Sequence, residues 1–142
     1  MGSKAMVTIL RIARVYASAL ISPFRPSFSH DRNLRERVTH SHVFSFVRNN
    51  IPSVWALELL VLLHRTSDRS WSVSELVREL RGSESVILPC IEHLRTVNLV
   101  AGDPETGFRY AAATRELDAT ATELAKLYAI RPMALAKAIV RA

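Results

Sequence analysis

Two short spacings in this chain contain the residue types that chemistry needs. Cys90 and His93 stand three apart in PCIEH. On a helix that is one turn, close enough for a thiolate to meet an imidazole. His40 and His42 stand two apart, which on a helix points them to different sides, so a shared metal would need a strand or loop there. The bland readings weigh more. Cys90 falls on the apolar stripe Ile87, Cys90, Ile91 and Leu94, where a small buried side chain is its ordinary role. His40 and His42 read as solvated. Glu58 interrupts the apolar run VWALELLVLL; a buried acid there could be functional, but its expected place is the rim of the core or opposite an arginine. The chain has no Gly-rich phosphate loop, no paired-cysteine site and no nucleophile elbow. We therefore expect no enzyme, no catalytic or metal-binding residues and no cofactor.

The elements that position these residues are mostly helical. The chain has 142 residues, 49% of them hydrophobic and 23% charged, which suits one globular domain with appendages. A single cysteine excludes an intrachain disulfide and fits a reducing, cytoplasmic setting. No apolar run reaches the roughly 18 residues of a membrane span. The net charge is +6, and its location matters more than its size. Residues 1–50 hold eight basic and two acidic side chains, whereas residues 51–142 hold eleven of each. The whole excess therefore lies near the N-terminus.

In residues 1–22 there is no acid, and Lys4 and Arg11 alternate with the apolar set Ile9, Ile12, Tyr16 and Leu20. This is a basic amphipathic pattern, similar to transit peptides; a poorly ordered tail is the simpler expectation. SPFRPSFSHDRN, residues 22–33, reads as a linker, and residues 34–50 as a weak helix. Pro52 suits the first turn of the next helix, a central core helix over residues 54–63. Ser72 and Glu75 form a capping box, with Trp71 and Leu76 as the hydrophobic staple. Gly82 is placed to stop that helix, and Ser83 or Ser85 to cap the following one. Pro89 predicts a bend or a late start there, and Asn98 a C-terminal cap. Residues 99–101 and 108–111 read as short strands joined by a turn-rich loop. Helices follow from Leu117 and, after Pro132, from Met133 to Val140.

Helix, short strand at Trp71, capped helix, tight turn, helix, hairpin: this order resembles the winged-helix superfamily, and "IEHLRTVNLVAGDPETGFRYAA" carries the likeness best. The likeness covers residues 52–113 and is similar to small bacterial transcriptional regulators. It implies a mainly α fold with a β-hairpin wing, a winged helix-turn-helix with additional N- and C-terminal helices. Residues 1–33 then form a basic tail and residues 34–142 the domain, with C-terminal helices over 115–141. It also implies that the helix after Gly82 enters a major groove while the wing touches the DNA backbone. Regulators of this kind often dimerise through terminal helices, so a homodimer is implied, with Leu127, Met133, Ile139 and Val140 as its candidate interface.

The candidate DNA-contacting residues are Arg81, Ser83, Ser85, Glu92, His93, Arg95, Thr96 and Arg109. At 100° per residue, the face opposite the apolar stripe holds Ser85, Pro89, Glu92 and Thr96, with no cation at its centre. The wing holds Asp103 and Glu105, and residues 68–113 carry seven acids against five arginines. Phosphate neutralisation supplies most non-specific affinity, so DNA binding needs help from the basic N-terminal residues. The alternative expectation is a winged-helix module that binds another protein.

Overall fold

The computed structural model describes residues 30–140. The basic amphipathic tail and most of the linker expected over residues 1–29 lie outside the described residues. The described chain is mainly helical with one small antiparallel hairpin. In chain order the elements are α1 (His30–Asn50), α2 (Val54–Arg65), α3 (Val73–Leu80), α4 (Glu84–Thr96), β1 (Val100–Asp103), β2 (Gly107–Tyr110), α5 (Arg115–Ile130) and α6 (Pro132–Val140). No single described helix is long and apolar enough to cross a membrane.

The core is built around α2, which is buried continuously from Ala56 to Leu63. An apolar surface on nearly every side requires neighbours on nearly every side. They are α3, α4, α5, α6 and β2. Each leucine taken fully out of water there stabilises the fold by about 1.5–3 kcal/mol. The helix starts at Ser53, whose hydroxyl accepts from the Ala56 N–H at 3.1 Å. Pro52, expected in the first turn, stands just before that cap. The serine side chain satisfies an open donor that proline cannot, so it fixes the start. α1 is helical from His30, the first described residue, and so includes residues 30–33 that were expected in the linker. α1 lies against α5 and α6, and buries Val43 and Val47 completely.

The capping box expected at α3 is present in both directions. Glu75 N–H donates to Ser72 Oγ at 3.1 Å, and Ser72 N–H donates to Glu75 Oε2 at 3.0 Å. The stop is different. Arg81, not Gly82, takes the left-handed conformation, at φ 54°. Gly82 instead lies in a close approach: a Cβ there would sit 3.2 Å from Ile87 Cδ1 and from the Trp55 ring, so those side chains would have to give way. That close approach brings α3 and α4 together. α4 then runs unbroken through Pro89. One lost backbone hydrogen bond on an exposed side is outweighed by Ile87, Ile91 and Leu94, all at zero exposure. Asn98, at φ 63°, turns the chain out of α4 as expected.

The strands sit slightly off their expected places. β1 extends to Asp103 because the Asp103 side chain, rather than its backbone, makes the turn: Oδ1 accepts from Glu105 N–H at 2.8 Å and Thr106 N–H at 2.7 Å. The register pairs Val100 with Tyr110, Ala101 with Arg109, Gly102 with Phe108 and Asp103 with Gly107. Trp71 lies on the other side of β2. Its N–H donates to Phe108 O at 2.8 Å, and the Phe108 N–H donates to Trp71 O at 2.7 Å. The order across the small sheet is therefore Trp71, β2, β1, and the hairpin is tied to the segment that enters α3.

Candidate nucleic-acid interface

The face of α4 away from the core is open. Ser85, Pro89, Glu92, Arg95 and Thr96 are all exposed, as are Arg81 and Ser83 at the turn before it. Ser83 holds the N-cap position without a capping bond. Its hydroxyl lies 3.0 Å from that of Ser85. Thr96 donates to the His93 carbonyl at 2.6 Å, which closes the last turn. His93 is withdrawn from the face: it is half-buried, and its Nε2 donates to the Asn50 carbonyl at 2.5 Å. This bond satisfies the open carbonyl end of α1 and fixes α4 beneath it. His93 is thus a tether between helices.

Arg95 is the one arginine on α4, and it is not free. Its Nη1 donates to Glu92 Oε1 at 2.9 Å. Asp103 adds a second negative charge nearby. Thr106, through its amide and hydroxyl, holds the Asp103 carboxyl below the usual carboxylate range, and Arg95 pulls in the same direction. Asp103 is therefore ionised at neutral pH and shapes the loop. Arg109 is exposed on β2, directly across from Ala101. Directly opposed residues share a sheet face, so Arg109 stands on the same side of the hairpin as Ala101. Arg81 and Arg109 form no ion pair among the described residues.

Between α4 and β1 lies an open groove of about 450 Å³, lined by Glu92, Arg95, Thr96, Val100, Ala101 and Gly102. Three of the sequence-derived candidates thus share one groove. The spacing of residues along α4 could not show it, because its other wall is the main chain of β1.

The remaining candidates separate. Cys90 and His93 do not pair: the thiol lies 3.7 Å from Ser53 Oγ, and burial pushes it above its ordinary value. His40 and His42 belong to no metal-binding group among the described residues, and the His42 ring meets Thr120 Oγ1 at 3.3 Å. Glu58 corrects its expectation outright. It has 0% exposure, and neither carboxylate oxygen has a hydrogen-bond partner among the described residues. Burial alone pushes its carboxyl up to about 8.

A polar cluster that sequence reading misses joins α2, β2 and α5. Tyr110 donates to Asp118 Oδ1 at 2.7 Å. His64 Nε2 meets Thr122 Oγ1 at 3.1 Å, and its ring packs edge-on against Tyr110 at 4.9 Å. Thr122 gives its proton to the Asp118 carbonyl at 2.8 Å, so it accepts from His64 in this arrangement. Burial lowers the His64 pKa, partly opposed by Asp118, while burial and the Asp118 contact raise Tyr110. The cluster holds the hairpin against the C-terminal helices. Of the expected dimer residues, Leu127 and Ile139 pack inside the chain and Met133 is half-buried. Val140 is exposed, at 76%, as is Ile130 at 71%. The chain matches no family model, no curated protein and no solved structure.

Proposed function

We propose that residues 52–113 form a winged helix-turn-helix unit and that the protein is a cytoplasmic, bacterial DNA-binding regulator of transcription, acting as a homodimer. The observation that carries this reading is the open outer face of α4 beside a hairpin stapled through Trp71. Ser85, Pro89, Glu92, Arg95 and Thr96 are all exposed there, and the turn ahead of α4 presents Arg81. In this reading α4 enters the major groove, where Glu92 can accept from a cytosine amine and Thr96 can contact a base edge. Arg81 and Arg109 take phosphates, and the acid-free N-terminal residues, which hold Lys4, Arg11, Arg14 and Arg25, add the rest. Ile130 and Val140 supply outward apolar contacts for a second copy.

The test is fluorescence anisotropy with a random DNA duplex at low salt. Each phosphate contact contributes about −0.9 to the slope of log affinity against log salt concentration. Arg81→Ala with Arg109→Ala is therefore expected to weaken binding and to flatten the slope by about two. Arg95→Ala removes no phosphate contact in this reading but unmasks the Glu92 carboxylate, so it is expected to weaken binding with little change in slope. A slope near zero in the native protein overturns DNA binding. Unchanged affinity in the double variant removes the α4 and hairpin face from the contact. A second reading, a protein-binding module of the same fold, is favoured by one observation: the only arginine of α4 is committed to Glu92.

A further inference from the structure

The outer edge of β1 is unpaired among the described residues, and it forms one wall of the groove beside α4. Trp71 occupies the far side of β2, so β1 is an edge strand. Which of its main-chain groups face outward follows from the ladder. In an antiparallel pair, residues alternate between those that exchange hydrogen bonds and those that turn their N–H and C=O away from the partner. Phe108 uses both of its groups on Trp71, so its partner Gly102 is in an outward-facing pair, and so is Val100 two residues earlier. The Ala111 N–H, which donates to Leu99 O at 2.9 Å, keeps the same alternation. Gly102 agrees independently. A Cβ on it would strike Gly107 O at 2.0 Å and Phe108 Cα at 2.9 Å, so that Cα substituent points at β2, as it does in a pair whose polar groups face away. No hydrogen bond from outside the ladder reaches Val100 or Gly102 among the described residues.

We propose that this groove binds an extended, basic segment of a partner protein, which adds to β1 as a further antiparallel or parallel strand. Two donors and two acceptors alternate along the edge, at Val100 and Gly102. Only another polypeptide main chain offers both kinds of group at that spacing; a nucleic-acid backbone offers acceptors to the N–H groups and leaves the carbonyls unsatisfied. The surroundings set the charge of the guest. Glu92 and Arg95 cancel each other within the groove, so the excess charge comes from ionised Asp103 and from Glu105 in the adjoining hairpin loop. Thr96 offers a hydroxyl, and Ala101 leaves room for alternate side chains. Strand addition uses the main chain of β1, which the DNA reading does not, but it shares Glu92 and Thr96 with that reading, so peptide and DNA would compete for this face.

The probe is a synthetic peptide of alternating arginine and valine, added to the isotopically labelled full chain and followed by amide NMR and hydrogen exchange. The expected result is saturable binding, with the Val100 and Gly102 amides protected at least tenfold. N-methylation of alternate peptide residues is expected to abolish it, and glutamate in place of arginine to weaken it at least tenfold. Thr96→Trp fills the groove from an exposed position and is expected to lower affinity at least tenfold relative to Thr96→Ala, which loses the same bond to the His93 carbonyl without filling the groove. Four results would overturn the proposal. They are no saturable binding, binding indifferent to N-methylation, equal protection by a DNA duplex in place of the peptide, and protection already present in the free chain. The last would mean that the chain or a second copy of it occupies the edge. Failure here leaves the anisotropy result untouched, so the two readings fall separately.

Discussion

Glu58 makes the stability of this protein depend on pH, and the size of the effect follows from its burial. The side chain has no exposure and no hydrogen-bond partner among the described residues. Its pKa rises from 4.5 to about 8 because burial penalises the charged form. Between those values the folded state binds a proton that the unfolded chain has released. Stability therefore is full below about pH 4.5, falls as pH rises, and levels off above about 8. At about 1.4 kcal/mol for each tenfold change in proton concentration, the span from 4.5 to about 8 corresponds to roughly 5 kcal/mol. That is a large share of the 5–15 kcal/mol typical of a small domain. Glu58→Gln keeps the shape and removes the titration. Urea unfolding of both proteins from pH 5 to 9 is expected to give nearly equal stability at pH 5 and, at pH 8.5, a gap of several kcal/mol in favour of the variant. The comparison must be between the two proteins at each pH. His64, lowered by burial, works in the opposite direction: the folded state prefers it neutral, so its contribution improves as pH rises toward the ordinary histidine value. Taking the difference removes that opposing slope. A gap that does not widen with pH would refute the reasoning, as would a wild-type slope retained in the variant.

The turn before α4 and the strand after it give two backbone predictions. Gly102 combines φ +125° with a Cβ position only 2.0 Å from Gly107 O, so Gly102→Ala is expected to lower unfolding free energy by about 3 kcal/mol or more; a loss under about 1 kcal/mol would contradict the hairpin geometry. Arg81 holds φ 54° without being glycine, so Arg81→Gly is expected to stabilise by about 0.5–1 kcal/mol, read as a melting shift of a few degrees. An equal loss would show that the arginine side chain makes contacts that outweigh its strained backbone.

What is legible in the sequence and what is not divides along a physical line. Local signals are legible where a few neighbours decide the energy. The Ser72–Glu75 box needs only four residues, and the exit at Asn98 only one. The inward stripe of α4 is legible because helical spacing alone puts Ile87, Ile91 and Leu94 on one side. The stop after α3 departs from its expected residue because the reason for Gly82 is not its own backbone. It is the space left by Ile87, one turn into the next helix, and by the Trp55 ring, which is far away in sequence. Glu58 departs from its expected rim for the same reason. A single acid in an apolar run is normally turned toward a rim, but α2 is enclosed by five other elements and has no rim to offer. His93 reads as a surface residue of α4 when only α4 is considered; Asn50, forty-three positions earlier, is what draws it inward.

The outward side of α4 is where this division bears on function. Its central residues are exposed as their spacing predicts, yet exposure does not settle what an exposed residue can bind. Arg95 counts as a cation in any sum over the sequence, but its pairing with Glu92 and its nearness to Asp103 remove most of its long-range field. Asp103 counts as an acid that repels phosphate, but its first task is to fold the hairpin loop with two backbone N–H groups. Replacing it with a cation to suit DNA would open that loop. The loop could be acidic and still lie beside DNA only if the positive charge came from elsewhere, and residues 1–29 contain no acid at all. The β1 edge has no such dependence on the rest of the chain. Its unpaired groups follow from Trp71 choosing the far side of β2, so the same contact that fixes the hairpin also leaves an edge open for another main chain.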